Sequence, residues 1–340
     1  MKIPRFSIVF FSVLLLTLVF LLQACNNDDD SKVLKLAHGL DTGHPVHKSM
    51  VYMAGLLKEQ SGGSMEIHIY PSAQLGSERQ CLELLQIGSL DITKVSASAM
   101  EGFAPAYMVL SLPFIFDNRQ HSYSVLDGDI GRDILLSSEQ FWLRGLTFYD
   151  AGSRSFYTKD RPVRHPDDLE GLSIRVMKSP TAMEMINSFG GNPTPISWGE
   201  LYTSLQTGRV DAAENNPPSF YHSHHYEVCN YYCLDEHTSV PDVLLISTMS
   251  WEKLDEKEKK WLEDAAYRSG LYQRELWIKD EERSMKEIEA AGVTIIPPGE
   301  IDREAFRQAV RGMYEKASAN PIIGDLIERI KEEGKHEENN

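Results

Sequence analysis

The sequence lacks the short motifs that mark most enzyme active sites. Among its 340 residues there is no G-x-S-x-G nucleophile elbow, no G-x-G-x-x-G dinucleotide loop and no Walker phosphate-binding loop. Single serine, histidine and aspartate residues are plentiful, but none has the spacing of a catalytic signature. We therefore expect no catalytic residues and no cofactor, and a function other than catalysis.

Cysteine is scarce, and its spacing does not favour a metal site. The chain has 4 cysteines, and after Cys25 only Cys81, Cys229 and Cys233 remain, an odd number that cannot pair completely. A helix in this region would bring His225, Cys229 and Cys233 to one face, so a zinc site is one alternative. The residues VCNYYCLDEH instead indicate a strand, and neither C-x-x-C nor H-E-x-x-H occurs. We predict buried thiols and no metal.

Basic residues are few relative to acidic ones. Lys and Arg number 34 against 50 Asp and Glu, for a net charge of −16. Without Lys2 and Arg5, which belong to the N-terminal leader, this net charge falls from −16 to −18. A chain this acidic is not expected to bind the phosphate backbone of a nucleic acid, so nucleic acid is excluded as a partner. Binding of an anion would need locally placed arginines, which makes an arginine within an apolar strand informative.

The N-terminus indicates export. A basic start precedes the apolar run Phe6–Leu22, and a small residue stands just before Cys25. This order is typical of a lipoprotein signal peptide over residues 1–24, with cleavage before Cys25 and acylation of its thiol. Residues 25–32 form a polar tether. We expect an exported protein on the periplasmic or cell-surface side, lipid-anchored to the membrane at Cys25; an uncleaved anchor is the alternative.

Two stretches of the chain share one pattern, Leu-Gln-x-Gly-x-(Leu/Val)-Asp, at residues 85–91 and 205–211. In both, an amphipathic helix ends at a glycine suited to a left-handed cap, and a short strand follows. Four or five positions beyond the aspartate stand Ser96 in the first copy and Asn215 and Asn216 in the second. Two α/β lobes with matching loops make a cleft, because ligands of open α/β sheets bind at the carboxyl ends of strands.

Further candidates stand in the loops before these helices and on one strand. Glu78 and Trp198 each precede the Leu-Gln pair by seven residues. A strand is predicted from Leu172 to Met177, and it carries Arg175, whose planar guanidinium suits a carboxylate. Two facing lobes lined by such residues are the outline of a two-lobed solute-binding protein.

The C-terminal third predicts a long helix. Asp255 has the position of a helix cap with Glu258 three residues on, and helical periodicity continues to about Ala291. About 36 residues at 1.5 Å each extend roughly 54 Å, more than one small lobe. Either a single helix crosses both lobes, or two helices meet near Gly270; the sequence leaves both open.

The chain resembles the substrate-binding subunit of tripartite ATP-independent periplasmic (TRAP) transporters, of the dicarboxylate-binding-subunit (DctP) type. The motifs that carry the resemblance are, in order, LKLAHGLDTGHPVHK, IYPSAQLGSERQCLELLQIGSLDIT, LPFIFDNRQH, DLEGLSIRV, PTPISWGELYTSLQTGRVDAAENNP and HHYEV. The resemblance implies an α/β fold of two periplasmic-binding-protein-like lobes with hinge strands, a long helix crossing both lobes, and membrane permease subunits as partners. We expect lobe I at 33–151 plus 241–280, lobe II at 152–240 plus 281–332, and a disordered tail at 333–340.

The resemblance also implies roles for individual residues. Arg175 in SIRVM matches the arginine that pairs with the ligand carboxylate, and Arg154 in GSRSFY matches a second arginine. Asn215 in AENNP matches the amide that completes the carboxylate cradle. The other matching or adjacent positions are Glu78 and Ser96 in the first lobe, Trp198 as the aromatic ring over the ligand, and His38, Met177 and His237 nearby.

The ligand expected from this set is a sugar acid. A C4-dicarboxylate needs a cation at each end, whereas a hexuronate needs one carboxylate clamp, an aromatic platform and several groups for its hydroxyls. Glu78 would repel a second carboxylate of the ligand. The segments ENNPPSFY and GSRSFYTK resemble the corresponding segments of sugar-acid-binding members of the family. Ser96 departs from the sialic-acid-type members, which carry an acid there. We expect a glucuronate- or galacturonate-like ligand; the alternatives are a C4-dicarboxylate or other organic acid, a binding protein that feeds a signalling receptor, and a periplasmic enzyme acting on uronates.

Overall fold

The computed structural model describes residues 31–337, with side chains to residue 335, and the predicted signal peptide, Cys25 and most of the predicted tether lie outside this range. The strands are β1 (Lys32–Ala37), β2 (Met65–Tyr70), β3 (Ile92–Ser96), β4 (Leu143–Tyr149), β5 (Arg154–Thr158), β6 (Ser173–Val176), β7 (Asn192–Pro195), β8 (Ala212–Asn215), β9 (Tyr231–Thr238), β10 (Asp242–Ser247) and β11 (Thr294–Ile296). The α-helices are α1 (Pro45–Gln60), α2 (Glu78–Gln86), α3 (Arg119–Asp127), α4 (Asp129–Ser137), α5 (Pro180–Ser188), α6 (Leu201–Gln206), α7 (Pro217–His222), α8 (Thr248–Trp251), α9 (Glu256–Ala290), α10 (Arg303–Ala309), α11 (Arg311–Ser318) and α12 (Pro321–Glu337).

These strands form two mixed sheets. The first has the order β2-β1-β3-β10-β4 and the second has the order β11-β9-β5-β8-β6-β7. In the first sheet β1 is parallel to β2 and β3, while β10 is antiparallel to β3 and β4. The chain passes to the second sheet between β4 and β5 and returns between β9 and β10. This arrangement confirms the α/β class with two lobes joined by hinge strands.

The repeated sequence pattern is a repeated structure. The glycine after the helix is left-handed in both copies, with φ of 68° at Gly88 and 72° at Gly208. Glycine adopts this conformation without steric cost, so each helix ends at this turn, and the next strand begins four residues later, at Ile92 and at Ala212.

The aspartate of each copy, just before β3 or β8, binds the backbone of the neighbouring parallel strand, which is β1 in the first sheet and β6 in the second. A carboxylate oxygen of Asp91 accepts the backbone N–H of Lys35 at 2.8 Å, and that of Asp211 accepts the N–H of Ser173 at 2.8 Å. The two lobes therefore hold their central strands by the same local device, which places β3 and β8 at equivalent positions.

Each lobe has its own apolar core. Tyr107 and Trp277 are fully buried in first-lobe clusters, and Phe156 and Tyr232 are fully buried in second-lobe clusters. Burying a large apolar side chain contributes roughly 1.5–3 kcal/mol. Because the cores are separate, polar residues are free to face the space between the lobes.

Helix α9 resolves the alternative left open at Gly270. It is continuous over 35 residues, and the predicted cap is present, with Asp255 and Glu258 forming a reciprocal capping box. A Cβ at Gly270 would lie 3.2 Å from Thr147 Oγ1 and 3.3 Å from the Phe148 carbonyl, so glycine allows the helix to approach β4 closely. Trp277 packs in the first lobe and Ile288 in the second, so one helix crosses both lobes.

The C-terminal segment departs from the expected domain boundaries. The sequence places 281–332 in lobe II, but Ile323 and Ile330 of α12 are buried in a first-lobe cluster. The expected disordered tail at 333–340 is helical through Glu337. The reason is an amphipathic face that returns to the first lobe, where His121 Nε2 lies 2.8 Å from the Ile330 carbonyl oxygen. Within residues 31–337, no helix has both the length and the apolar character needed to cross a bilayer.

Candidate ligand-binding cleft

A cavity of about 640 Å³ lies between the two lobes, a volume typical of small-molecule sites. Seven of the nine candidate side chains line it: Arg175, Arg154, Asn215, Glu78, Trp198, Ser96 and Met177. His38 and His237 are not among its lining residues in the described part of the chain. The cleft therefore brings together residues that are far apart in sequence and come from both lobes.

Arg175 is a buried cation with unused hydrogen-bonding capacity. It lies on β6, is 2% exposed, and donates from Nε to the Ile196 carbonyl at 2.9 Å. Its Nη1 has no hydrogen-bond partner, and no carboxylate pairs with it within residues 31–337. Burial lowers its pKa, yet an arginine stays protonated at any physiological pH. A desolvated, unpaired guanidinium is costly unless an anion completes it.

Arg154, on β5, is in contrast already paired. Its Nε and Nη2 contact the carboxylate of Glu214, the latter at 2.8 Å, and its Nη1 donates to Asn215 Oδ1 at 2.8 Å. Burial alone would raise the pKa of Glu214, but Arg154 and His237 outweigh burial and hold it at about 2. Glu214 thus stays ionised, offsets the charge of Arg154 and fixes its direction.

His237 lies directly behind this pair. Its Nδ1 is 2.5 Å from Asp235 Oδ2, and its Nε2 is 3.6 Å from Glu214 Oε2. Burial would lower its pKa, but the two carboxylates outweigh burial and raise it to about 9. The imidazole is therefore protonated at neutral pH and supports Arg154 through Glu214 rather than facing the cavity.

The first-lobe side of the cleft carries a mixed group of charges. Glu78 Oε1 accepts the backbone N–H of Ser96 at 2.9 Å. Burial raises the pKa of Glu78, and the ammonium of Lys94 opposes that shift. Sequence reasoning missed Lys94 and its partner Asp242, although a lysine inside the buried strand ITKVS was a visible signal.

Trp198 lies where the lobes approach each other, whereas His38 contacts its own lobe. Trp198 Cδ1 lies 3.9 Å from the place a Cβ would take on Gly39, and its ring is 5.8 Å from the Arg175 guanidinium carbon. The ring of His38 contacts His47 instead, with His38 Nε2 at 3.0 Å from His47 Nδ1. Burial, with the help of Lys94, lowers the pKa of His38 to about 3, so it is neutral and holds the loop.

The lining residues that were not singled out from the sequence also include His44, Ser219 and Trp277. His44 Nε2 lies 3.4 Å from Ser219 Oγ, a contact between the first lobe and α7 of the second. Within residues 31–337, no group of three or more His, Cys, Asp or Glu side chains is arranged to hold a metal ion. The cleft offers charge pairing, hydrogen bonds and an aromatic surface, which are the means of binding a small polar anion.

A cleft between two α/β lobes, with a long helix across both and an unpaired buried arginine, defines a two-lobed solute-binding protein. The comparison with known families is specific: the chain belongs to the bacterial extracellular solute-binding protein family 7 (DctP), whose model matches residues 36–320. It is 37% identical over 291 residues to a solute-binding protein of Chromohalobacter salexigens, a match that covers 85% of this chain and 86% of the relative. Members of this family are extracellular solute-binding proteins.

Solved structures give the same fold. A TRAP periplasmic solute-binding protein from a Bradyrhizobium species, in complex with α/β-D-galacturonate, superposes with a TM-score of 0.86 at 38% identity, covering 88% of this chain and 100% of that one. A TRAP protein from Anaerococcus prevotii with bound α/β-D-glucuronate superposes with a TM-score of 0.87 at 31% identity, covering 90% and 99%.

Proposed function

We propose that this protein captures a hexuronate, of the galacturonate or glucuronate kind, and delivers it to the permease of a TRAP transporter. The observation that carries the proposal is Arg175, a buried guanidinium with a free Nη1 that lines the cavity and lacks a carboxylate partner within the described chain. A ligand carboxylate would complete it with a charge-assisted pair.

The rest of the cleft suits a sugar ring better than a short diacid. Trp198 offers an aromatic face next to Arg175, and Met177 adds apolar surface. Glu78 and Ser96 offer groups for hydroxyls on the first-lobe side. Structural neighbours with bound galacturonate and glucuronate, at 38% and 31% identity, support the same ligand class.

We assign the remaining candidates by their contacts. Arg154 and Asn215 are hydrogen-bonded to each other and would complete the carboxylate cradle. His237 and His38 would not contact the ligand. His237 would support Glu214, and His38 would hold the loop after β1. We propose no catalytic role for any of them.

We infer the location of the protein from its family and from its N-terminal sequence. Delivery to a permease requires a position outside the cytoplasmic membrane, and the leader ending before Cys25 would supply both export and a lipid anchor. A single acyl chain binds membranes only marginally, so stable anchoring would need the multiple chains of a bacterial lipoprotein.

A thermal-shift screen of the mature protein tests the proposed ligand. A ligand at about 100 times its dissociation constant adds roughly 2.7 kcal/mol to the free energy of unfolding, which a melting curve detects. We expect stabilisation by D-galacturonate or D-glucuronate and none by succinate or malate. Stabilisation by the diacids alone would favour the C4-dicarboxylate alternative, and turnover of the uronate during the assay would favour an enzyme.

A further inference from the structure

A charged cluster of three residues lies at the first-lobe side of the cleft. Lys94 Nζ is 3.0 Å from Asp242 Oδ2 and 3.8 Å from Glu78 Oε1. All three residues line the cavity, and the side chain of Lys94 is only 4% exposed. Two carboxylates therefore share one ammonium in a place that is largely shielded from water.

The backbone fixes the position of this cluster. Lys94 is on β3 and Asp242 begins β10, and in the antiparallel register Asp242 lies opposite Ser96 while Leu244 lies opposite Lys94. Glu78, the first residue of α2, is held by the N–H of Ser96 at 2.9 Å. The charges are thus set by strand pairing and a backbone hydrogen bond rather than by mobile surface side chains.

The two sides of the cleft have opposite net charge. On the second-lobe side Glu214 offsets Arg154, and Arg175 remains as an excess positive charge among the described residues. On the first-lobe side the two carboxylates exceed the one ammonium of Lys94 by one negative charge. The cleft is therefore complementary to a ligand with one anionic end and one neutral end.

We propose that Glu78, Lys94 and Asp242 form a charge filter that admits monocarboxylate sugar acids and rejects diacids. This inference rests on the proposed function, in which the ligand carboxylate binds at Arg175. A sugar hydroxyl can donate to either carboxylate and accept from Lys94, whereas a second ligand carboxylate can only accept. Lys94 alone would attract that second carboxylate, and the two acids reverse its preference.

The filter is tested by a cycle of two ligands and two protein forms. The ligands are D-galacturonate and galactarate, the diacid of the same carbon skeleton, and binding is measured by isothermal titration calorimetry. In the wild-type protein galacturonate should bind much more tightly than galactarate. Glu78→Gln removes one negative charge at nearly constant side-chain size. In this variant the dissociation constant of galactarate divided by that of galacturonate should be about 30-fold smaller than in the wild type. Shape differences between the ligands cancel in this comparison.

Asp242→Asn should move the ratio in the same direction, which guards against a folding effect specific to one variant. Glu83→Gln is the matched control, because Glu83 also lines the cleft but is 50% exposed and paired with Arg79 at 3.0 Å. Its ratio should stay at the wild-type value. If galacturonate binds but the ratio is unchanged in both Glu78→Gln and Asp242→Asn, the filter is refuted while the proposed function stands. If the wild-type protein binds no uronate, both are refuted.

Discussion

Replacing Arg175 by lysine probes the proposed carboxylate clamp directly. Lysine keeps the positive charge and most of the aliphatic stem, but it loses the planar pair of donors. The 2.9 Å bond from Nε to the Ile196 carbonyl would also be lost, as would Nη1, which has no hydrogen-bond partner in the described chain. A bidentate contact with a ligand carboxylate would become a contact with a single flexible ammonium.

The expected loss is large because Arg175 is 2% exposed. Weakening one partner of a desolvated charge pair costs about 2–5 kcal/mol, or roughly 30-fold to several thousand-fold in affinity. An exposed arginine in a rim ion pair would cost under about 1 kcal/mol when changed in the same way. The two explanations therefore differ by more than the error of a calorimetric titration.

The assay is titration of Arg175→Lys with the uronate that the thermal-shift screen selects, next to Arg79→Lys as the matched control. Arg79 also lines the cleft, but its side chain is 60% exposed and paired with Glu83. We expect Arg79→Lys to bind almost as the wild type does, and both variants to melt cooperatively. Affinity of Arg175→Lys within a few-fold of wild type would refute the clamp.

Two other predictions concern contacts within the structure, and a third concerns the N-terminus. The pKa of His237 is raised from 6.5 to about 9. The stability that the protonated imidazole contributes is therefore fully present below pH 6.5 and is lost as the pH rises toward 9. The melting temperature of the wild type should fall over that interval, and that of His237→Gln should stay flatter. Glu101 of the first lobe accepts hydrogen bonds from Ser179 Oγ at 2.8 Å and from the Thr181 N–H at 3.2 Å, at the start of a second-lobe helix. Because losing a helix cap costs a comparable free energy, Glu101→Ala should weaken uronate binding by about 2- to 30-fold. Unchanged affinity would show that this contact does not hold the lobes together. Cys25→Ser should leave an unlipidated precursor, and a cleaved, acylated product from that variant would contradict the lipoprotein interpretation.

Features set by local patterns could be predicted from the sequence. The repeated glycine and aspartate positions predicted two equivalent lobes, and Gly88 and Gly208 have the left-handed conformation that the pattern requires. Asp255 and Glu258 predicted the start of the long helix, because a capping box involves residues only three positions apart. The sequence could not decide whether the helix breaks at Gly270, because the strand that packs there is more than a hundred residues away.

The partner of each charge could not be predicted, because strand pairing decides it. Lys94 and Asp242 are separated by 148 positions and meet only through the register of β3 and β10. Arg154 and Glu214 are separated by 60 positions, and their pairing leaves Arg175 as the cation available to a ligand. The same limit applies to α12, whose return to the first lobe depends on packing against core residues that are far away in the sequence.

A crystal structure of the mature protein with D-galacturonate would show which groups hold the ligand carboxylate. The predicted complex has the ligand between the lobes, with its carboxylate about 2.7–2.9 Å from guanidinium nitrogens of Arg175 and its hydroxyls toward Lys94 and Asp242. A carboxylate bound at Lys94 with the hydroxyls at Arg175, or a sugar outside the cleft, would contradict it.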